Sequence, residues 1–133
     1  MSRPLRIVLV EDNNVFRDAL ELLLGLRSDI EVVGTLPDGH GLAALCEETR
    51  PDVAVIDYRL PGADGVQVTA GLREACPDVV VVCLTASANP REEDALLAAG
   101  AVVCLRKDQE LEEIVASLHR AAGRLTGAGE PWS

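Results

Sequence analysis

The chain has 133 residues, 48% of them apolar, enough for one domain with a proper core and too many for a disordered chain. Its 12 basic and 22 acidic residues leave a formal net charge of −10, which argues against nucleic acid as a direct partner, because phosphate contacts need basic patches. No apolar run approaches the ~20 residues needed to cross a bilayer, and Arg3 and Arg6 lead straight into a short apolar run with no secretory signal before it. A cytoplasmic location with no membrane partner is therefore expected.

Leu5 to Val10 predicts a buried strand that ends in the polar cluster Glu11-Asp12-Asn13-Asn14. Val15 to Leu26 follows as a helix, with Phe16, Ala19, Leu20, Leu23 and Leu26 at helical spacing and Asp12 or Asn13 as cap. Ile30 to Leu36 reads as a second strand. Asp38 to Thr49 reads as a second helix, carrying Leu42, Leu45 and Cys46 inward. Val53 to Ile56 is an unbroken apolar run with β-branched residues at three of its four positions, the pattern of a strand buried on both faces.

Asp57 ends that strand, and Pro61-Gly62 and Asp64-Gly65 supply turn chemistry after it. Asp64 then opens a helix, with Gln67 placed to complete a capping box. Val79 to Leu84 predicts a fourth strand ended by Thr85-Ala86-Ser87. Asn89-Pro90-x-Glu92 is a helix start: a cap, proline in the first position and an acid at the third. Ala101 to Leu105 predicts a fifth strand ended by Arg106-Lys107, and Asp108 is expected to cap a last helix with the stripe Leu111, Ile114, Val115, Leu118 and Ala122.

Five strands alternating with five helices require a parallel sheet with helices on both faces, an α/β fold. With right-handed crossovers the strand order 2-1-3-4-5 is the common solution at this size. Residues 1–123 are expected to form the domain, and residues 124–133 lose periodicity and read as a tail or linker stub. The four cysteines, Cys46, Cys76, Cys83 and Cys104, show no C-x-x-C spacing and no nearby histidine, so they read as small apolar residues rather than metal ligands or disulfides. His40 and His119 read as surface or capping residues. Lys107 is the only lysine in a chain that otherwise uses arginine.

The carboxyl ends of the strands collect the chemistry. Strand one ends in Glu11-Asp12, strand three in Asp57, strand four in Thr85 and strand five in Lys107. Open α/β sheets bind ligands at this edge. Three converging carboxylates suit a hard cation such as Mg2+, which would let a phosphoryl group approach an otherwise negative pocket. Lys107 and Thr85 can each meet a phosphoryl oxygen, with Asp57 as the nucleophile of aspartyl-phosphate chemistry.

These residues resemble those of a response-regulator receiver domain of two-component signalling. The resemblance runs from about Leu5 to Ala122, and its motifs are the Glu11-Asp12 pair, Asp57 in DYRLPGADG, Thr85-Ala86 after VVVVCL, and Lys107 after GAVVCLR. It implies that Asp57 is the phosphoacceptor for a sensor histidine kinase. It implies that Asp12, Asp57 and the backbone carbonyl of Arg59 bind Mg2+ with help from Glu11 through water, and that Thr85 and Lys107 bind the phosphoryl group. Such a domain is a signalling switch rather than an ordinary enzyme. The helix after strand one and the Lys107-Asp108 pair resemble the receivers of regulators with helix-turn-helix outputs. If residues 124–133 lead into an output domain, that output is transcriptional; if they end the chain, the domain docks on a target protein, with a homodimer as a further arrangement. Two departures stand on the face that usually carries the signal out. Cys104 occupies the position of the family's fifth-strand aromatic, and Glu92, Glu93 and Asp94 fill the fourth helix where apolar contacts are expected. Switching is therefore expected to be weaker or differently routed.

Other readings fit less well. Gly39-His40-Gly41-Leu42-Ala43-Ala44 loosely matches a dinucleotide fingerprint but follows strand two and lacks a convincing downstream acid on the next strand's end. A flavin-binding flavodoxin wants a hydroxyl-rich loop where Glu11-Asp12 would repel phosphate. A phosphohydrolase wants a second acid two residues after Asp57, where Arg59 stands. The remaining alternative is a receiver-like interaction module that works without phosphorylation.

Overall fold

The computed structural model describes residues 3–123; the expected tail at 124–133 lies outside the described residues. The elements are β1 (Leu5–Val10), α1 (Asn14–Gly25), β2 (Ile30–Leu36), α2 (Leu42–Thr49), β3 (Val53–Ile56), α3 (Gly65–Ala75), β4 (Val80–Thr85), α4 (Pro90–Ala99), β5 (Ala101–Arg106) and α5 (Leu111–Ala121). The strands form one sheet in the order β2-β1-β3-β4-β5, and every neighbouring pair is parallel. Among the described residues no helix is long and apolar enough to cross a membrane.

The continuous apolar strands feed two cores by simple alternation, because successive side chains point to opposite faces. From β1, Leu5, Ile7 and Leu9 join Val53 and Val55 of β3 and Val82 and Leu84 of β4 in a core closed by Leu20 and Leu24 of α1 and Ile114, Val115 and Leu118 of α5. Val8, Val10, Ala54, Ile56, Val81 and Cys83 form the opposite core, under Leu42 and Cys46 of α2, Val68 and Leu72 of α3 and Leu96 of α4. A strand buried on both faces cannot alternate polar with apolar, which is why β3 is apolar throughout, β1 carries only Arg6 near its start and β4 only Thr85 at its end.

Several helix starts follow their sequence signals. The Asn13 side chain accepts from the Phe16 N–H at 2.9 Å. Asp64 and Gln67 close a full capping box on α3, as Asn89 and Glu92 do on α4. The acids that make α4 look weak sit in its first turn, where a carboxylate favours the helix dipole, and Leu96 supplies its buried contact.

Other boundaries move. The second helix begins at Leu42 rather than Asp38, because the Asp38 carboxylate accepts from the His40 N–H at 2.8 Å and Gly41 turns the chain through a left-handed conformation, φ 78°. Asp108 does not cap α5. It pairs with Arg106 at 3.2 Å, and the N-cap is Glu110.

The inner face of α1 also differs from the expected stripe. Leu20 and Leu24 are buried, whereas Ala19, Leu23 and Leu26 are exposed. Accordingly, Leu24→Ala should lower stability by about 2–5 kcal/mol, whereas Leu26→Ala should stay within about 0.5 kcal/mol. Urea midpoints of the two variants check this, and equal losses would contradict the observed packing.

Candidate functional site

Each residue of the site stands where a strand leaves the sheet. The Glu11 N–H is tied to the Leu36 carbonyl at 2.9 Å and the Asp57 N–H to the Val10 carbonyl at 3.0 Å, so both acids continue the ladder of their strands. The Lys107 N–H donates to the Thr85 carbonyl at 2.9 Å, which sets the ends of β4 and β5 side by side. Glu11, Asp57 and Thr85 are buried, whereas Asp12 is exposed.

The side chains converge. Lys107 Nζ lies 2.5 Å from Glu11 Oε1 and 3.1 Å from Asp57 Oδ2. Glu11, Asp12 and Asp57 each offer one carboxylate oxygen, all within 4.8 Å of one another. Thr85 closes the edge on β4, its hydroxyl donating to the Ser87 carbonyl at 3.3 Å. The Arg59 N–H approaches Asp57 Oδ1 at 3.5 Å.

Three carboxylates face one ammonium, so the pocket keeps excess negative charge. Burial pushes the Glu11 carboxyl above its ordinary pKa; bonds from Lys107 and the Asn13 amide oppose this, and the Asp57 charge adds to it. Burial works against the Lys107 charge, but its bond to Glu11 and the charge and bond of Asp57 outweigh burial and raise its pKa. Lys107 is thus a fixed cation bracing two acids. Such a pocket suits a hard cation bound through oxygen, and the donor set present is all oxygen.

Two neighbours are not marked by any sequence motif. The Phe16 ring lies under Lys107, with Nζ 4.5 Å from the ring centroid, a cation–π contact that positions the ammonium. Phe16 is the only phenylalanine of the chain, and its place on the inner face of α1 was the available signal. The Arg59 side chain reaches Glu92 of α4 at 3.4 Å, linking the loop after Asp57 to the fourth helix. Nothing in the local sequence marks that pair.

The fold and this acid-and-lysine pocket define a class, the receivers of two-component signalling. The chain belongs to the response regulator receiver domain family, whose model matches residues 7–119. It is 37% identical over 129 residues to the "Probable transcriptional regulatory protein NarL" of Mycobacterium tuberculosis (strain CDC 1551 / Oshkosh), a match covering 93% of this chain and 60% of that protein. It is 31% identical over 121 residues to the nitrate/nitrite response regulator protein NarL of Escherichia coli (strain K12), covering 91% of this chain and 56% of the relative. The solved signal receiver domain of NarL from Mycobacterium tuberculosis superposes with a TM-score of 0.85 at 34% identity, covering 92% of this chain and 98% of that one. The chain spans about 60% of the length of the first of these regulators. Receivers of this kind are components of signalling proteins.

The loop that presents Asp57 depends on a close approach of backbone to backbone. The Gly65 N–H donates to the Tyr58 carbonyl at 2.7 Å. A Cβ at Gly65 would lie 2.6 Å from the Asp57 carbonyl oxygen and 2.7 Å from Tyr58 Cα, neither of which can yield without moving the loop. Gly65→Ala should therefore cost about 1–3 kcal/mol. Gly71→Ala, where a Cβ meets nothing within 4 Å in α3, should gain roughly 0.5–1 kcal/mol. Urea unfolding of both variants checks the contrast, and a neutral Gly65→Ala would show that the loop is not held in this way.

Proposed function

We propose that this receiver, residues 1–123, takes a phosphoryl group from the phosphohistidine of a sensor kinase onto Asp57. The observation that supports this best is the Lys107 ammonium bracing Asp57 and Glu11 beside the Asp12 carboxylate. In the transfer an Asp57 carboxylate oxygen bonds to phosphorus as the bond to the donor nitrogen breaks. Lys107 would leave its carboxylate contact for a phosphoryl oxygen, and Thr85 would hydrogen-bond another.

The oxygen donors fit Mg2+, held by Asp12, Asp57 and the Arg59 carbonyl with Glu11 acting through water. When bound it supplies the positive charge that lets a phosphoryl group enter this acidic pocket. A hollow of about 460 Å3 beside Asp12 is lined also by Tyr58, Arg59 and Asp64.

The kinase contact has a candidate surface. On α1 the outward residues Val15, Ala19, Leu22 and Leu26 recur at i, i+4, i+7 and i+11, and all are exposed. This apolar stripe begins a few residues after Glu11-Asp12 and suits packing against helices of a donor. On the reading that this chain works as its NarL-type relatives are named, the switch controls transcription through an output domain joined after residue 123. With Cys104 in place of an aromatic, Thr85 passes its movement to α4 and β5 by a route other than a ring swing.

Incubation with acetyl phosphate and Mg2+, read by intact mass, should give a single phosphoryl adduct that is absent without Mg2+ and absent in Asp57→Asn. Mg2+ should also raise the melting temperature of the native protein, and do so less in Asp12→Asn. An adduct that survives in Asp57→Asn would overturn the assignment. No adduct together with no Mg2+ stabilisation would favour an interaction module that works without phosphorylation.

A further inference from the structure

Cys83 of β4 and Cys104 of β5 are paired in register on adjacent parallel strands. Both face the core under α2, α3 and α4: Cys83 lies within it and Cys104 packs against its edge. Neither is bridged, Cys83 being buried and Cys104 half-buried. Neighbouring strands run about 4.7–4.9 Å apart, inside the roughly 4.4–6.8 Å between Cα atoms that a disulfide spans.

The surroundings allow the remaining adjustment. Among the described residues β5 is the edge strand of the sheet, with no strand on its far side. Its register with β4 shifts between Val81 and Val82, so that Val102 is passed over just before Cys104. Such a bulge increases the local twist and re-aims the side chains beside it. Cys83 stands two residues before Thr85 and Cys104 three before Lys107, on the same two strands whose ends are joined by the Lys107 N–H to Thr85 carbonyl bond.

We propose that Cys83 and Cys104 form a reversible disulfide when a low-molecular-weight disulfide such as oxidised glutathione accumulates, and that this cross-link slows phosphoryl uptake at Asp57. Cys104, the more accessible thiol, loses its proton and attacks one sulfur of the oxidant. One glutathione leaves as a thiol, and a mixed disulfide remains on Cys104. The Cys83 sulfur, giving up its proton, then attacks Cys104 Sγ and expels the second glutathione as a thiol. Two protein thiols are oxidised, one glutathione disulfide is reduced to two thiols, and the two protons leave with them.

Burial raises the pKa of both thiols, so thiolate is scarce and only sustained oxidation drives the reaction. On parallel strands the paired side chains point the same way rather than toward each other, so the bond carries strain and is readily reduced. Once formed, it fixes β5 to β4 below Thr85 and Lys107 and restrains the two residues proposed to close on the phosphoryl group. The effect on Asp57 rests on the proposed function above; the cross-link itself does not.

The test treats the whole protein with oxidised glutathione at mildly alkaline pH and maps peptides by mass spectrometry without reduction. The expected result is loss of two hydrogens and a Cys83–Cys104 linked peptide, reversed by dithiothreitol and absent in Cys104→Ser. Uptake from acetyl phosphate should be several-fold slower in the oxidised protein, recover on reduction, and not respond to oxidant in Cys104→Ser. A glutathione adduct that stays on Cys104, or a link only between Cys46 and Cys76, would overturn the cross-link. A Cys83–Cys104 link with unchanged uptake would overturn its effect on the site. If the reduced protein takes no phosphoryl group, the Asp57 reading fails instead, and the peptide map alone decides the cross-link.

Discussion

Because both faces of the sheet are covered by helices, β3 and β4 carry no charge and β1 carries only Arg6 near its start, so the acids stand at the carboxyl ends of the strands. There Glu11 and Asp57 meet while still largely buried, an arrangement that two carboxylates sustain only with a cation between them. Lys107 fills that need, and its own position depends on β5 lying beside β4 and on Phe16 presenting a ring beneath it. The site is therefore a product of the whole fold: α1 supplies the ring, three strands supply the charges, and the packing of both cores sets the distances.

The strands and the acidic edge were legible in the sequence because they obey one-dimensional rules. Val53 to Ile56 reads as a doubly buried strand, and in a parallel sheet the residues just past each such run fall at the same edge. The capping boxes at Asp64 and Asn89 were legible for the same reason, since both partners lie within one turn. The inner face of α1 was not. Leu20, Leu22, Leu23, Leu24 and Leu26 place leucine on most sides of the helix, and only packing against α5 and the sheet selects Leu20 and Leu24. The α5 cap was missed because Arg106 competes for Asp108. Arg59 beside Glu92 was invisible because it joins segments far apart in the chain, and Phe16, which stood in the expected stripe of α1, gave no sign that its ring lies under Lys107.

The parts of the molecule differ in how firmly they are held. The acids, Lys107 and the Gly65 approach to Asp57 are braced by backbone hydrogen bonds and buried contacts. The segment facing outward from β4 and β5 is looser in kind: α4 buries only Leu96, β5 is an edge strand with a shifted register, and Val102 and Leu97 stand exposed. Low burial and an interrupted ladder are what let a segment move without cost to the rest. Cys104, half-buried in that segment, stands in register with Cys83 of β4.

The solitary lysine has one more consequence. Reagents that acylate amines act on the uncharged form, and the only side-chain amine of this protein is gripped by two carboxylates that keep it protonated. Its reactivity is therefore a direct reading of the state of the pocket. Whatever draws Glu11 or Asp57 away from Lys107 changes the rate at which that one nitrogen is labelled, with no other lysine to blur the signal.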